Sequence, residues 1–280
     1  MDFRSFTTLA LDGITAEPKT GCRIVLFDEI DSTNNYAKKL LAENIADQDE
    51  LADVFGQPVV IVANSQTSGR GRLGREFSSP ADSGIYLSIV LNTKLESASL
   101  PLLTMATSVA TRRAIESVCN ISPSIKWVND LYLKDKKICG ILLETANSFY
   151  ASDNSAFVVI GIGINCFPGS FPEELREIAG SISDTPNSFS RSELAAKVID
   201  EVVSEVYNLD PASMLNEYRE HCFILGRNVT VTDFANENGS PRNFLARAVG
   251  ISDNGALIVE SMDGSQRISL FSGGVSVNLD

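Results

Sequence analysis

An α+β domain followed by a small all-β barrel is the fold class this sequence predicts. Three observations carry it. Apolar, β-branched runs such as Pro58 to Asn64 and Phe157 to Cys166 are interleaved with segments of helical spacing, such as Leu100 to Val118. From about Leu225 the pattern changes to short alternating strands. Those strands are separated by Asn238-Gly239, Asn254-Gly255 and Asp263-Gly264, dipeptides that favour tight hairpin turns.

The elements follow in order. Met1 to about Gly21 shows no clear periodicity and is expected to be a loose lead-in. Cys22 to Ile30 (CRIVLFDEI) predicts a strand. Asp31-Ser32-Thr33-Asn34 then precedes Tyr36, Ala37, Leu40 and Leu41, spaced for one helix face, with Ser32 or Thr33 as the N-cap. Pro58 to Asn64 is a strand running straight into an arginine-glycine loop, and Gly84 to Leu91 is another. Leu100 to Val118 is a long helix with Pro101 in its first turn. Ser124 to Leu133 and Lys137 to Thr145 predict a hairpin with Lys134-Asp135-Lys136 as its turn. Phe157 to Cys166 is a strand whose two glycines suggest close approach of a ligand or another backbone. Pro168 to Ser190 is rich in Pro, Ser and Gly and is expected to be an irregular link. Helices are expected at about Arg191 to Asn208 and Pro211 to Phe223. The segments NVTVTDF, FLARAVGI, ALIVES, RISLF and VSVNL then build a barrel of SH3-like size. The expected organisation is a lead-in over 1–21, a main domain over 22–225 and the barrel over 226–280.

The 280 residues carry a net charge of −13, and 44% of them are hydrophobic. That is enough apolar material for one large core and a small second one. The sequence pI near 4.6 gives no long-range basic face for a nucleic acid. No apolar run is long enough to span a membrane. The N-terminus lacks the pattern of a secretory signal. Five dispersed cysteines without a CxxC fit reduced thiols in a cytoplasm. The one histidine, His221, belongs to none of the polar clusters. A Ser-His-Asp or Cys-His mechanism is therefore disfavoured, and no zinc pattern exists.

Against that acidic background, Gln66-Thr67-Ser68-Gly69-Arg70-Gly71-Arg72-Leu73-Gly74-Arg75 carries three guanidiniums and no acid. Such a loop can be merely solvated. It also suits a lid over a small anion, since arginine forks match carboxylate and phosphate oxygens. Ser32-Thr33-Asn34 can be simple capping, yet with Gln66 it offers the mixed donors and acceptors that a ureido ring requires. In Lys126-Trp127-Val128-Asn129-Asp130 the Asn129-Asp130 pair can make a turn or can hold a divalent ion through oxygen. Lys137 opens the apolar run Ile138 to Leu143, which contains Gly140 and ends at Glu144. It can be an edge lysine, or a charge placed where a ligand lies against the backbone.

Together, in this order, the runs closely resemble the biotin protein ligases. That family is marked by D-S-T-N, G-R-G-R-x-G-R, K-W-P-N-D, K-x-x-G-I-L-x-E and G-x-G-I-N motifs. This sequence has Asp31 to Asn34, Gly69 to Arg75, Lys126 to Asp130, Lys137 to Glu144 and Gly161 to Asn165. The resemblance covers roughly Val25 to Asp280. Val128 stands where the family usually has proline, and Phe77 near where many members have tryptophan beside the adenine. About twenty residues precede the first strand, too few for a helix-turn-helix domain. The expectation is therefore a short form without a DNA-binding role.

The resemblance implies a mixed sheet flanked by helices, of the biotin/lipoate ligase and class II synthetase type, plus the SH3-like barrel. It implies activation of biotin by MgATP to biotinyl-5′-AMP, then transfer to a lysine of a biotin carboxyl carrier domain. Ser32, Thr33, Asn34, Gln66 and Gly69 would hold biotin, with Trp127 and Gly140 along its acyl chain. Arg70, Gly71, Arg72 and Arg75 would close over carboxylate and phosphate. Lys137 would bridge the two, making Lys137, Arg70 and Asp130 the catalytic set. Phe77, Lys126, Asn129, Asp130 and Asn165 would serve the nucleotide, and Asp130 is a candidate ligand for Mg2+ riding on the phosphates. A lipoate or octanoate ligase is the alternative, as is a biotin sensor without catalysis.

Overall fold

The computed structural model describes residues 7–44, 54–93, 100–150, 155–169, 171–233, 242–271 and 274–277. In chain order, β1 (Leu9–Ala10) and β2 (Thr15–Ala16) form a short antiparallel ribbon. The main domain then contains β3 (Arg23–Ile30), α1 (Thr33–Asn44), β4 (Val59–Gln66), β5 (Gly84–Thr93) and α2 (Leu100–Cys119). It continues through β6 (Ser124–Lys126), β7 (Asp130–Leu133), β8 (Lys136–Tyr150), β9 (Ser155–Asn165), α3 (Arg191–Tyr207) and α4 (Pro211–His221). Last come β10 (Asn228–Asp233), β11 (Arg242–Ile251), β12 (Leu257–Ser261), β13 (Arg267–Leu270) and β14 (Gly274–Val277).

Seven strands form one sheet in the order β3-β4-β5-β9-β8-β7-β6. β3 and β4 run parallel and the other neighbours antiparallel, so the sheet is mixed, as expected. Both faces are covered, which is why the central strands are continuously apolar rather than alternating. On β4, Val59 and Ile61 face α1 and pack with Ala37, Leu40 and Leu41. Val60 and Val62 face the opposite way, into the core that α2 and α3 close with Leu103, Val109, Ile115 and Val198. Ser190 caps α3 by accepting from the Glu193 N–H, and Asp210 caps α4 ahead of Pro211.

The C-terminal strands form an antiparallel sheet, β13-β12-β11-β10-β14, a small SH3-like barrel. Gly255 and Gly264 have φ of +82° and +72°, the left-handed conformation that the predicted turns demand. The Asn238-Gly239 turn lies outside the described residues. Val229, Val231, Leu257 and Val259 of the barrel belong to the same apolar cluster as the α2 side of the main domain. Across this seam the Trp127 indole N–H donates to the Gly255 carbonyl at 3.1 Å. Arg219 of α4 donates twice to the Ile251 carbonyl, at 2.8 and 3.1 Å.

Three expectations need correction. Over residues 7–21 the lead-in is not loose. Leu9 is fully buried, Asp12 accepts from the Arg191 N–H and the Ser192 hydroxyl, and Asp200 accepts from the Lys19 and Thr20 N–H groups. Two-residue strands are too short to show a period. Ser124 to Leu133 is not one strand but two, β6 and β7, because the chain reverses at residues 127–129 and pairs Lys126 with Asp130. The link over 168–190 is not wholly irregular, since Ala179 forms a parallel bridge to Lys137. No helix among the described residues is long and apolar enough to cross a membrane.

Candidate active site

The strands' inner ends and the arginine loop enclose a cleft, and its back wall is a chain of small polar groups. Ser32 ends the lead into α1, and the Tyr36 N–H bonds back to its carbonyl at 3.0 Å. Ser32, Thr33 and Asn34 are almost wholly buried. The Gln66 carbonyl oxygen accepts from the Thr33 N–H at 2.9 Å and the Thr33 hydroxyl at 3.2 Å, while its amide nitrogen donates to Ser79 Oγ at 2.8 Å. Ser88, in the middle of β5, lies 2.7 Å from Thr33 Oγ1 and donates to Asn34 Oδ1 at 2.6 Å. Asn34 Nδ2 donates to Glu144 Oε2 at 2.9 Å. This wall can offer both donors and acceptors to a neutral polar ring.

Glycines on β8 and β9 make room in front of it. A Cβ at Gly161 would fall 2.1 Å from Asn34 Oδ1, and one at Gly163 would fall 2.5 Å from the Phe77 ring. Gly140 pairs with Gly163 across the two strands, so Phe77 lies over a bare stretch of sheet. Leu87, Ile141, Leu142 and Ile162 complete an apolar wall.

The arginine loop is a tight hairpin against this cleft. The Phe77 N–H bonds to the Gly69 carbonyl at 2.9 Å and the Gly71 N–H to the Arg75 carbonyl at 2.7 Å. Residues Arg72–Gly74 form a 3-10 turn in which Leu73 and Gly74 take positive φ. Arg70 Nη2 reaches Glu144 at 3.2 Å, and Arg72 Nη1 donates to Asn129 Oδ1 at 3.0 Å. Burial lowers the Arg72 pKa, partly countered by the Asp130 charge.

Lys137 begins the apolar part of β8 and is fixed from both sides. Its N–H bonds to the Ile178 carbonyl at 2.8 Å, and its own carbonyl accepts from the Gly180 N–H at 2.9 Å. Its Nζ lies 2.7 Å from Asp130 Oδ1, an ion pair more than a well-directed hydrogen bond. Asn129 is held by its amide N–H to the Ile141 carbonyl at 2.8 Å. Burial also lowers the Lys126 pKa, and that amine lies 5.2 Å over the Tyr132 ring. Five cations, Arg70, Arg72, Arg75, Lys126 and Lys137, thus gather on one face of a chain whose net charge is −13.

Nearly all the predicted residues meet here. Ser32, Thr33, Asn34, Gln66, Arg70, Gly71, Arg72, Phe77, Asn129, Lys137 and Gly140 line the first pocket. Arg75, Lys126, Trp127 and Asp130 line a second, which shares Gly71, Arg72, Phe77, Asn129 and Lys137 with the first. Gly69 lines a third beside Gln66 and Phe77. Asn165 lines none of the three; it is buried at the end of β9, paired with Gly84. Trp127 stands on the cationic side with its indole N–H turned to the barrel, away from the apolar wall of the first pocket. Ser88 was not singled out by the sequence, and Glu144 was marked only as the end of the Lys137 motif, with no role given to it. A lone serine inside GIYLSIVL and an acid closing an apolar strand were the available signals. The cysteines are all free, and burial raises their thiol pKa values, to about 11 at Cys22 and about 12 at Cys119 and Cys222. They are packing residues, not nucleophiles.

A mixed sheet with helices on both faces, carrying a cleft that is amide-lined at one end and cationic at the other, defines an α+β enzyme built to bring anions together. A model of the biotin/lipoate A/B protein ligase family matches residues 26–165, half of the chain. One of the biotin protein ligase C-terminal domain matches residues 224–277. The chain belongs to this ligase family. It is 31% identical to the bifunctional ligase/repressor BirA of Bacillus subtilis (strain 168) over 257 residues, spanning 89% of this chain and 72% of the relative. It is 28% identical to the biotin–[acetyl-CoA-carboxylase] ligase of Mycobacterium tuberculosis, spanning 75% of each. The structure of a biotin protein ligase from Aquifex aeolicus in complex with biotin and ATP matches at a TM-score of 0.70 and 26% identity, covering 92% of this chain and 99% of that one.

Proposed function

We propose that this cleft activates biotin with ATP and passes the biotinyl group to a lysine on a biotin carboxyl carrier domain. The observation that carries it is the adjacency of two pockets that share Lys137: one walled by Thr33, Asn34 and Gln66, the other lined by Arg75 and Lys126. A ureido ring needs both donors and acceptors, and a carboxylate facing a phosphate needs positive charge between them.

The chemistry follows from that placement. A biotin carboxylate oxygen attacks the α-phosphorus of ATP; a P–O bond forms and pyrophosphate leaves. The Lys137 amine and the Arg70 and Arg72 forks offset the charge as the two anions meet, which is electrostatic stabilisation with orientation rather than covalent catalysis. The carrier amine then attacks the acyl carbon, loses a proton, and AMP leaves. Ser32, Thr33, Asn34 and Gln66 hold the ring, Gly69 and Gly140 let it approach, and Phe77, Lys126, Asn129 and Asp130 serve the nucleotide side. Among the described residues no three His, Cys, Asp or Glu side chains gather into a metal cage. Mg2+, which keeps most of its ligands as waters and phosphates, fits a site with one nearby carboxylate, and Asp130 would hold it. Bound there it would neutralise phosphate charge. The free thiols fit a cytoplasmic setting. The ligase domain is taken to end near residue 225.

ATP–pyrophosphate exchange tests the reading. Biotin should drive exchange, and octanoate should drive far less, because nothing in octanoate satisfies the Thr33 and Gln66 groups. Exchange with octanoate equal to that with biotin favours the lipoate-type alternative; no exchange with either removes the ligase reading.

A further inference from the structure

Glu144 receives three donors from three places. Lys38 Nζ of α1 lies at 2.8 Å, Arg70 Nη2 of the arginine loop at 3.2 Å, and Asn34 Nδ2 of the ring wall at 2.9 Å. Its side chain is only 20% exposed. Burial raises its pKa, but the hydrogen bonds from Lys38 and Asn34 and the charges of Lys38 and Arg70 outweigh that, so it stays below the usual carboxylate range. It is an anion, and an anion only accepts.

That fixes the protons beyond it. Because Glu144 cannot donate, the NH2 end of Asn34 must face it, and Asn34 Oδ1 must face Ser88. Ser88 has one proton, and Asn34 Oδ1 needs it. Ser88 Oγ then has only lone pairs for Thr33 Oγ1, 2.7 Å away. The Thr33 proton turns to Ser88, behind the wall, or to Gln66 Oε1, within it. What Thr33 presents to the cleft is a lone pair. A ring N–H can bond there; a ring oxygen cannot. The same carboxylate that sets this polarity also holds Arg70.

We infer that Glu144 is a positioning residue that joins ring recognition to closure of the arginine loop, orienting the Asn34–Ser88–Thr33 chain with one oxygen and anchoring Arg70 with the other. This rests on the biotin reading of the cleft. A neutral Glu144 frees the Asn34 amide to flip and releases Arg70, so ring binding and loop retention fall together. Breaking the chain at Ser88 spoils ring binding alone.

The experiment compares the full-length protein with Glu144→Gln and Ser88→Ala. It measures biotin KM and kcat for pyrophosphate exchange, hydrogen exchange over residues 69–76 with biotin and MgATP, and single-turnover adenylate release. Glu144→Gln should raise biotin KM by about 10- to 100-fold, the scale of a lost charge-assisted hydrogen bond. Its kcat at saturating biotin should change far less, its loop should exchange faster, and its adenylate should escape sooner. Ser88→Ala should raise biotin KM comparably while loop exchange and release match the parent. Should Glu144→Gln fail to fold, Ser88→Ala still decides the proton chain: an unchanged biotin KM overturns it. A parent that takes biotin, with a Glu144→Gln variant matching it in KM and release, overturns this inference alone. A parent that takes no biotin overturns the ring reading and this inference with it.

Discussion

At the scale of single residues, Lys137 and Arg72 should have separable tasks in the proposed reaction. Lys137 is pinned at its backbone and paired with Asp130, so its amine is in place before any ligand arrives. Lys137→Ala should slow adenylate formation by about 10²–10³-fold, the scale of losing one preorganised charged contact. Rapid-quench measurement of the adenylate checks this, and an unchanged rate assigns the amine no part in the step. Arg72 instead ties the loop to Asn129. Arg72→Gly removes that fork and adds backbone freedom. It should still form adenylate but release it faster, and the escaped anhydride should label lysines on a bystander albumin. Retention as long as in the parent would reduce Arg72 to a surface charge. Both positions stood out in the sequence, Arg72 as a charge among glycines in an acidic chain and Lys137 as a lysine opening an apolar strand that contains Gly140. Ser88 was not, since a serine within an apolar strand carries no signal until β5 is paired with β9 and α1 is laid across it.

At the scale of elements, legibility followed length and punctuation. The barrel strands were readable because Asn254-Gly255 and Asp263-Gly264 mark their turns. The β5–β9 pairing was not, since it joins segments far apart in sequence with nothing local to announce it. The β1–β2 ribbon escaped because two-residue strands show no period and polar contacts to α3 share with the buried Leu9 the task of holding it. Asp12 is central to it. Burial raises its pKa, but hydrogen bonds from Ser192, Arg191 and Ile14 win and leave it lowered from 3.8. A depressed carboxyl contributes its stability in full above the unfolded value and loses it as pH falls through the folded one. The ribbon should therefore stay docked at pH 5 and loosen on acidification below about 4. Peptic cleavage between residues 7 and 20, compared with Asp12→Ala, reads this out. Equal resistance of parent and variant at pH 5 would show that Leu9 alone suffices.

At the scale of the whole molecule, barrel and main domain share one apolar cluster. They should unfold together. Trp127 is the chain's single tryptophan and stands at their seam, so its fluorescence reports the interface directly. Denaturation followed by fluorescence and by far-UV circular dichroism should give coincident curves. Trp127→Phe leaves the Gly255 carbonyl without its donor and should cost about 1–3 kcal/mol, read from the dichroism midpoint; separate transitions in the parent would mean the barrel is only appended. The second pocket draws the same lesson to a finer point, for among its lining residues is Val275 of β14. Ribosomes build chains from the amino end, and β14 is the last strand in the described order. A growing chain that has not yet reached β14 therefore leaves the cationic pocket without one side. Only when translation has passed β14 is that side in place, so the pocket proposed for the phosphates is completed by the last strand in the described order.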